Sequence, residues 1–287
     1  MGLRLVTTAC LVLLLLIPAS VVSAQGTGDL NHRILPDRKT LFRKPVADPR
    51  ALTSHVSLVQ VTPESDDLAN FLGGFAGITS HYPLYRATRM STLEAWQVEI
   101  EAGVLSQFDL DQQSDDLLNS DFYVGFPFTY NNHPYSVRVR LMHQSSHLGD
   151  ELLLRPDAPE RINLSLEFVE ALFAYEYGDW RVYAGGGDAF RHSPSSLDAR
   201  TLQAGFEYFE DDKRERFGLI GGLDYRSSAQ SDWDPGVSVR AGMRVGTVGD
   251  GTTRLDVRLE YYTGPFPYGQ FYTEDVEYAG VGVYLNS

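Results

Sequence analysis

From about Glu94 onward, apolar and polar residues alternate at every second position, in stretches of roughly ten. That is the period of a β-strand with two unlike faces, because successive side chains point to opposite sides of the pleat. Val237, Val239, Ala241, Met243 and Val245 alternate with Ser238, Arg240, Gly242, Arg244 and Gly246; Leu255, Val257, Leu259 and Tyr261 alternate with Arg254, Asp256, Arg258 and Glu260. No helical period competes. The pattern predicts ten strands, near 94–108, 121–130, 135–146, 161–177, 180–190, 200–209, 216–226, 236–247, 253–263 and 276–285, with two weaker ones near 55–61 and 70–80. Either total is even, as single-chain bacterial membrane barrels require.

Alternation alone does not say which face is inside. Three further features do. Short linkers at 131–134, 178–179, 210–215 and 248–252 alternate with longer ones at 109–120, 147–160, 191–199, 227–235 and 264–275. Short periplasmic turns opposite long extracellular loops are the membrane-barrel pattern, and this phase leaves the C-terminus in the periplasm. The apolar face carries Trp96, Tyr130, Tyr135, Tyr177, Trp180, Tyr208 and Phe217 at the short-turn ends, and Phe122, Tyr225 and Tyr261 at the others. Two aromatic rings around an aliphatic band suit the two headgroup interfaces. The opposite face mixes Arg138, Arg140, Arg181, Asp224 and Arg226 with Gly185, Gly187, Gly218 and Gly222, which suits a narrow lumen where charges pair. Since lipid offers no hydrogen bonds to backbone, the sheet has to close. The expected fold is all-β: a transmembrane antiparallel up-and-down β-barrel over residues 55–287, of about 12 strands with 10 possible.

The N-terminal residues do not fit this pattern. Residues 1–24 carry Arg4, an apolar run from Leu11 to Ile17 and Val22-Ser23-Ala24, the layout of a signal peptide. The apolar run is shorter than the ~20 residues of a spanning helix. Cys10, the one cysteine, lies within the expected signal peptide, so the mature chain is expected to hold no disulfide and no thiol chemistry. Residues 25–54 are polar, with Pro36, Pro45 and Pro49, and basic through Arg33, Arg38, Lys39, Arg43, Lys44 and Arg50. They are expected to form a periplasmic arm, a loose leader in preference to a plug drawn in by luminal Glu99, Glu101 and Glu260. The net charge of −14 argues against a nucleic-acid partner. The outer membrane is the expected location, with lipid, lipopolysaccharide and the barrel assembly machinery as partners. The last strand ends Tyr284-Leu285-Asn286-Ser287, whereas outer-membrane strands usually end on an aromatic.

One stretch is dense in reactive side chains: His143-Gln144-Ser145-Ser146-His147-Leu148-Gly149-Asp150-Glu151. Val137, Val139 and Leu141 set the lipid-facing parity of their strand, so His143 and Ser145 fall on the outer wall. A serine nucleophile needs a neighbouring base, and two residues apart on a strand puts both side chains on one side. Ser145 is then the candidate nucleophile and His143 the base. The orienting third group is open: Asn163 alternates with Ile162, Leu164 and Leu166 and so on parity falls into the lumen, and Glu151 or Asp150 would have to fold back. In the structural alternative the same residues form a hydrogen-bonded rim. In a third reading His147 and Asp150 are weak metal ligands. No cofactor is expected, calcium being possible, and Asp109, Asp111, Asp115 and Asp116 read as a solvated acidic loop. The leading expectation is a barrel with a charged, largely filled lumen and a structural or transport-like role. The alternative is an outer-leaflet lipid esterase or deacylase. A pore is disfavoured because twelve strands leave an interior that side chains nearly fill.

The His-x-Ser pair resembles that of outer-membrane phospholipase A and the lipid A deacylases, where it lies near the extracellular end of a strand on the outer wall. Across most of the mature chain, LFRKPVADPR (41–50), QFDLDQQSDDLLNSDFYVG (107–125), HQSSHLGDELLLR (143–155) and EYYTGPFPYGQFY (260–272) resemble a bacterial family of predicted outer-membrane proteins grouped as a domain of unknown function. That resemblance implies the same barrel and brings no catalytic residues with it.

Overall fold

The computed structural model describes residues 29–64, 69–156, 158–210, 217–248 and 253–286. The expected signal peptide lies outside them. In chain order the strands are β1 (Leu30–Ile34), β2 (Ser54–Pro63), β3 (Phe71–Arg89), β4 (Ala95–Asp109), β5 (Asp116–Asn132), β6 (Tyr135–Leu148), β7 (Leu164–Tyr177), β8 (Trp180–Ser193), β9 (Thr201–Phe209), β10 (Gly218–Ser228), β11 (Pro235–Val248), β12 (Thr253–Pro265) and β13 (Asp275–Asn286). A four-residue helix, α1 (Asp150–Leu153), follows β6. Neighbours in sequence pair antiparallel from β2 to β13, and β13 pairs back onto β2. The sheet is therefore a closed twelve-stranded barrel.

All twelve strands read from the sequence are present, and the two weak ones complete the ring. β3 runs nine residues past its expected end at 80. Its alternation is interrupted by Pro83, which sits at a register shift against β4; a residue that cannot donate to the ladder is tolerated at such a bulge. β5 likewise begins inside the expected loop 109–120. β1 was not legible in the sequence: it pairs with β3 from Tyr85 to Arg89, beyond the reach of β2, and covers an edge that would otherwise be open. Of the short turns, Gly178-Asp179 joins β7 to β8 with Gly178 at φ +59°, the positive value that two-residue hairpins need at their first position.

The two faces are as expected except in the first half of β7. Val124, Phe126 and Phe128 on β5, Val281, Val283 and Leu285 on β13, and Leu219 and Leu223 on β10 are exposed on the outer wall. Aromatics pair there at the short-turn end, Trp96 with Tyr130 and Trp180 with Tyr208. Among the described residues no helix is long and apolar enough to cross a membrane. Inside, Arg138, Arg140, Arg181, Asp224, Glu99, Glu101 and Glu260 are buried.

The N-terminal arm is not a loose leader. After β1 the chain enters the lumen, where Phe42, Val46, Ala47, Asp48, Ala51 and Leu52 are buried. The luminal arginines hold it by its backbone: Arg181 donates to the Arg43 carbonyl at 2.9 Å, Arg258 to Val46 at 3.0 Å, and Arg240 to Val46 and Asp48 at 3.3 Å each. Glu207 accepts the Val46 N–H at 2.5 Å while pairing with Arg181. Lys44 pairs with Glu101 at 3.0 Å. Phe42 lies under two guanidiniums, Arg181 at 4.7 Å and Arg138 at 4.8 Å from its ring centre. Prolines and small residues make the segment narrow enough to share a small barrel with long arginines, and its free carbonyls are the acceptors those arginines lack.

Toward the long-loop end the lumen becomes apolar. Leu52, Val59, Val61, Phe75, Leu105, Tyr123, Met142, Tyr262 and Tyr278 form one cluster, and the loop after β12 folds Phe266 and Tyr268 into it. Tyr268 ties this layer to the arm by donating to the Pro49 carbonyl at 3.0 Å. The largely filled lumen is thus charged at the short-turn end and chiefly aromatic at the other, where Asp121 and Asp224 are also buried.

Because Phe42 is 3 % exposed and stacks on two arginines, Phe42→Ala should lower the unfolding free energy in detergent by about 3–5 kcal/mol. Urea unfolding followed by tryptophan emission measures this; a loss below about 1 kcal/mol would mean the arm does not hold the barrel together.

Candidate active site on the outer wall

β6 alternates without interruption in this region. Met142, Gln144, Ser146 and Leu148 are buried inside, where Gln144 accepts from Arg50 and Ser146 donates to Asn119, each at 2.9 Å. His143, Ser145 and His147 therefore share the outer face, as expected for the first two. Register fixes their neighbours. One row across the wall reads Val124, His143, Glu167, Arg191 from β5 to β8; the next reads Phe122, Ser145, Ser165, Ser193.

His143 Nδ1 stands 3.7 Å from Glu167 Oε1, and the far side of Glu167 takes Arg191 Nη1 at 3.1 and 3.3 Å. Ser145 Oγ is 2.9 Å from His147 Nε2, and the His147 ring meets Phe122 edge-on at 5.7 Å. Ser145 is thus flanked by a histidine two residues to either side; one touches it and the other is backed by a carboxylate. Rotation about χ1 of a serine moves its hydroxyl between such neighbours at little cost.

The acid facing His143 is Glu167, not Glu151. The chain turns in over the barrel mouth after Leu148, Gly149 donating to the Leu118 carbonyl at 3.1 Å. Leu152 then packs with Leu118 and Leu148, leaving Glu151 exposed on α1. Among the described residues no hydrogen bond or ion pair joins Glu151 to His143 or Ser145. Asn163 precedes β7 and is exposed. The expected phase of β7 was reversed: Leu164 and Leu166 point inward and pack with Leu197, so Ser165 and Glu167 face out. The signal was Tyr177. Counting back in twos from that outer-wall aromatic along an unbroken strand gives Phe173, Val169 and Glu167.

Among the described residues no group of three or more His, Cys, Asp or Glu, at His147 and Asp150 or elsewhere, is placed to hold an ion. The acidic loop is not simply solvated: Arg155 bonds Asp116 at 2.7 Å and Asp109 at 3.0 Å. It clamps the ends of β4 and β5 beneath the long loops.

A closed twelve-stranded barrel with a lipid-like outer wall and a filled lumen is an outer-membrane-type β-barrel. The chain belongs to the family described as "Protein of unknown function (DUF1207)", whose model matches residues 17–286. None of the curated proteins matches it in sequence. Among solved structures it is similar to outer membrane phospholipase A from Escherichia coli, with a TM-score of 0.54 and 14 % identity over 86 % of this chain and 92 % of that one. It is also similar to the Salmonella typhi outer membrane phospholipase, solved as a dimer with bound calcium, at a TM-score of 0.51 and 13 % identity over 88 % and 94 % of the two chains. At such identities the likeness is one of fold.

Arg155→Ala should leave the barrel folded and loosen the clamp by roughly 1 kcal/mol, the contact being partly exposed. Limited proteolysis should then cut between residues 110 and 115 several-fold faster; an unchanged rate would show that the loop is held by other means.

Proposed function

We propose that this protein is an acyl-ester hydrolase of the outer membrane, acting on lipid from the barrel's outer wall with Ser145 as nucleophile and His143 as general base. The observation that carries the reading is the His143–Glu167 contact on a face that otherwise meets lipid. Ionisable groups on such a wall are costly and need a reason to be there. A carboxylate at Nδ1 orients an imidazole and leaves Nε2 to take a proton. The 3.7 Å separation is longer than a hydrogen bond, and contacts of this kind tighten when substrate binds.

In this reading Ser145 Oγ attacks the ester carbonyl while its proton passes to His143. The imidazolium returns that proton to the departing alcohol, and an acyl-serine remains. Water then attacks the acyl group with His143 again as base, releasing a free fatty acid and restoring the serine. Glu167 is a positioning residue. His147 holds the hydroxyl between turnovers. A transport-like role needs a conduit, whereas the arm and the aromatic layer occupy the lumen. A solely structural role leaves the outer-wall row unexplained. Outer-leaflet lipid, including lipopolysaccharide, would reach the site sideways, and the barrel assembly machinery would insert the chain.

Fatty-acid release from mixed micelles of phospholipid, or of lipid A, tests the assignment. Ser145→Ala should reduce it by about 10³-fold or more and His143→Ala by about 10²-fold or more. Glu167→Gln should lower kcat by roughly tenfold with KM unchanged, and Glu167→Asp should restore part of the loss. His147→Ala should change the rate by less than about fivefold. Equal release from wild type and Ser145→Ala would end this reading.

A further inference from the structure

The surroundings of Ser145 are asymmetric. On the β5 side lie Phe122, Val124 and Phe126, all exposed and apolar. On the β7–β8 side lie Ser165, Glu167, Ser193 and Arg191. The wall therefore changes from hydrocarbon-like to ionic across the nucleophile, as an ester-linked lipid changes across its carbonyl from acyl chain to headgroup.

Arg191 owes its place to a bulge. In the β7–β8 ladder Glu167 pairs with Arg191 and Phe168 with Ala189, so β8 has one residue extra. Both Phe190 and Arg191 consequently face outward: the ring is 59 % exposed and the arginine side chain 61 %. Bulges re-aim side chains beside functional sites. Only Nη1 of Arg191 is engaged, by the two oxygens of Glu167; among the described residues Nη2 and Nε have no partner. The nearest outward acid on its own strand, Asp188, lies two rungs further from the long-loop end, opposite Val169. A planar guanidinium with two free donors, rising from an apolar wall toward the headgroup zone, is suited to a phosphate, which it can bind through both.

We propose that Arg191 is the specificity-determining residue of the site, binding the phosphate of an acylated phospholipid or phosphoglycolipid whose acyl chain lies along Phe122, Val124 and Phe126. This rests on Ser145 being the nucleophile. Phosphate held on the β8 side and acyl chain on the β5 side would place the intervening ester over β6, where Ser145 stands. A neutral acyl ester would lack the anchor and meet the nucleophile in many orientations.

Full-length wild type and Arg191→Ala are compared on micellar phosphatidylglycerol, lipid A and diacylglycerol of matched acyl chains. On the phosphate-bearing lipids the variant should lose about 10- to 100-fold in kcat/KM, mostly in KM. On diacylglycerol it should lose less than about threefold, and Arg191→Lys should recover part of the phosphate-dependent loss. Loss on phosphatidylglycerol alone, or on lipid A alone, identifies the source of the phosphate. An equal loss on all three would mean that Arg191 only steadies Glu167, and would overturn the proposal while leaving the hydrolase reading intact. Phosphatidylglycerol retention in native mass spectra, with Ser145→Ala carried in both proteins, gives a readout that does not need turnover. Retention independent of Arg191 overturns the anchor; absent release from all three lipids by wild type overturns the hydrolase reading.

Discussion

Every charge that points into this barrel has to find its counter-charge or acceptor inside it. The wall is closed, so lipid cannot serve. Arg138, Arg140 and Arg226 converge on Glu170. Arg244 and Arg258 share Asp256, and Arg240 pairs with Glu260. These pairs do not exhaust the donors of so many guanidiniums, and an unpaired buried donor is expensive. The arm supplies part of what is missing, presenting the carbonyls of Arg43, Val46 and Asp48 along the axis, although the Nε atoms of Arg138, Arg140, Arg181, Arg226, Arg240 and Arg258 stay without a hydrogen-bond partner among the described residues. Barrel and arm are therefore one folding unit, because the luminal residues are incompletely satisfied without the segment threaded through them.

A filled interior leaves the outer wall as the face for the proposed chemistry. There the constraint reverses: an aliphatic wall needs no partners, so each polar group on it stands out. Most of the wall obeys. On β6, by contrast, the outward positions continue from Leu141 to His143, Ser145 and His147, and the adjoining strands answer with Glu167 and Arg191. These groups partly satisfy one another in a row across three strands, which lowers the cost of holding them at the margin of the apolar band.

The alternation of residues, the unequal linkers and the aromatic ends made the barrel legible in the sequence to within a few residues per strand, the end of β3 excepted. What was not legible depended on contacts distant along the chain. The fate of residues 41–53 turns on backbone carbonyls, which leave no trace in residue type, although the basic character of the arm and the acidic lumen pointed the same way. β1 is five residues long and is defined by the edge of β3 that it covers. Glu167 was missed because Leu164 and Leu166 resemble lipid-facing residues; the long-loop half of the lumen is apolar, and hydrophobicity there no longer distinguishes inside from outside. Register from Tyr177 would have distinguished them. The pairing of Ser145 with His147 could not be read at all, since two histidines flank that serine symmetrically.

The central claim is that a single outer-wall serine of a filled barrel is activated as a nucleophile. It is tested most directly by treating the folded protein in detergent with a fluorophosphonate that reacts with activated serines, and locating the adduct by mass spectrometry. The account requires one adduct, on Ser145, abolished by His143→Ala and retained in His147→Ala. An unlabelled protein, or a label on another serine with Ser145 untouched, would contradict it.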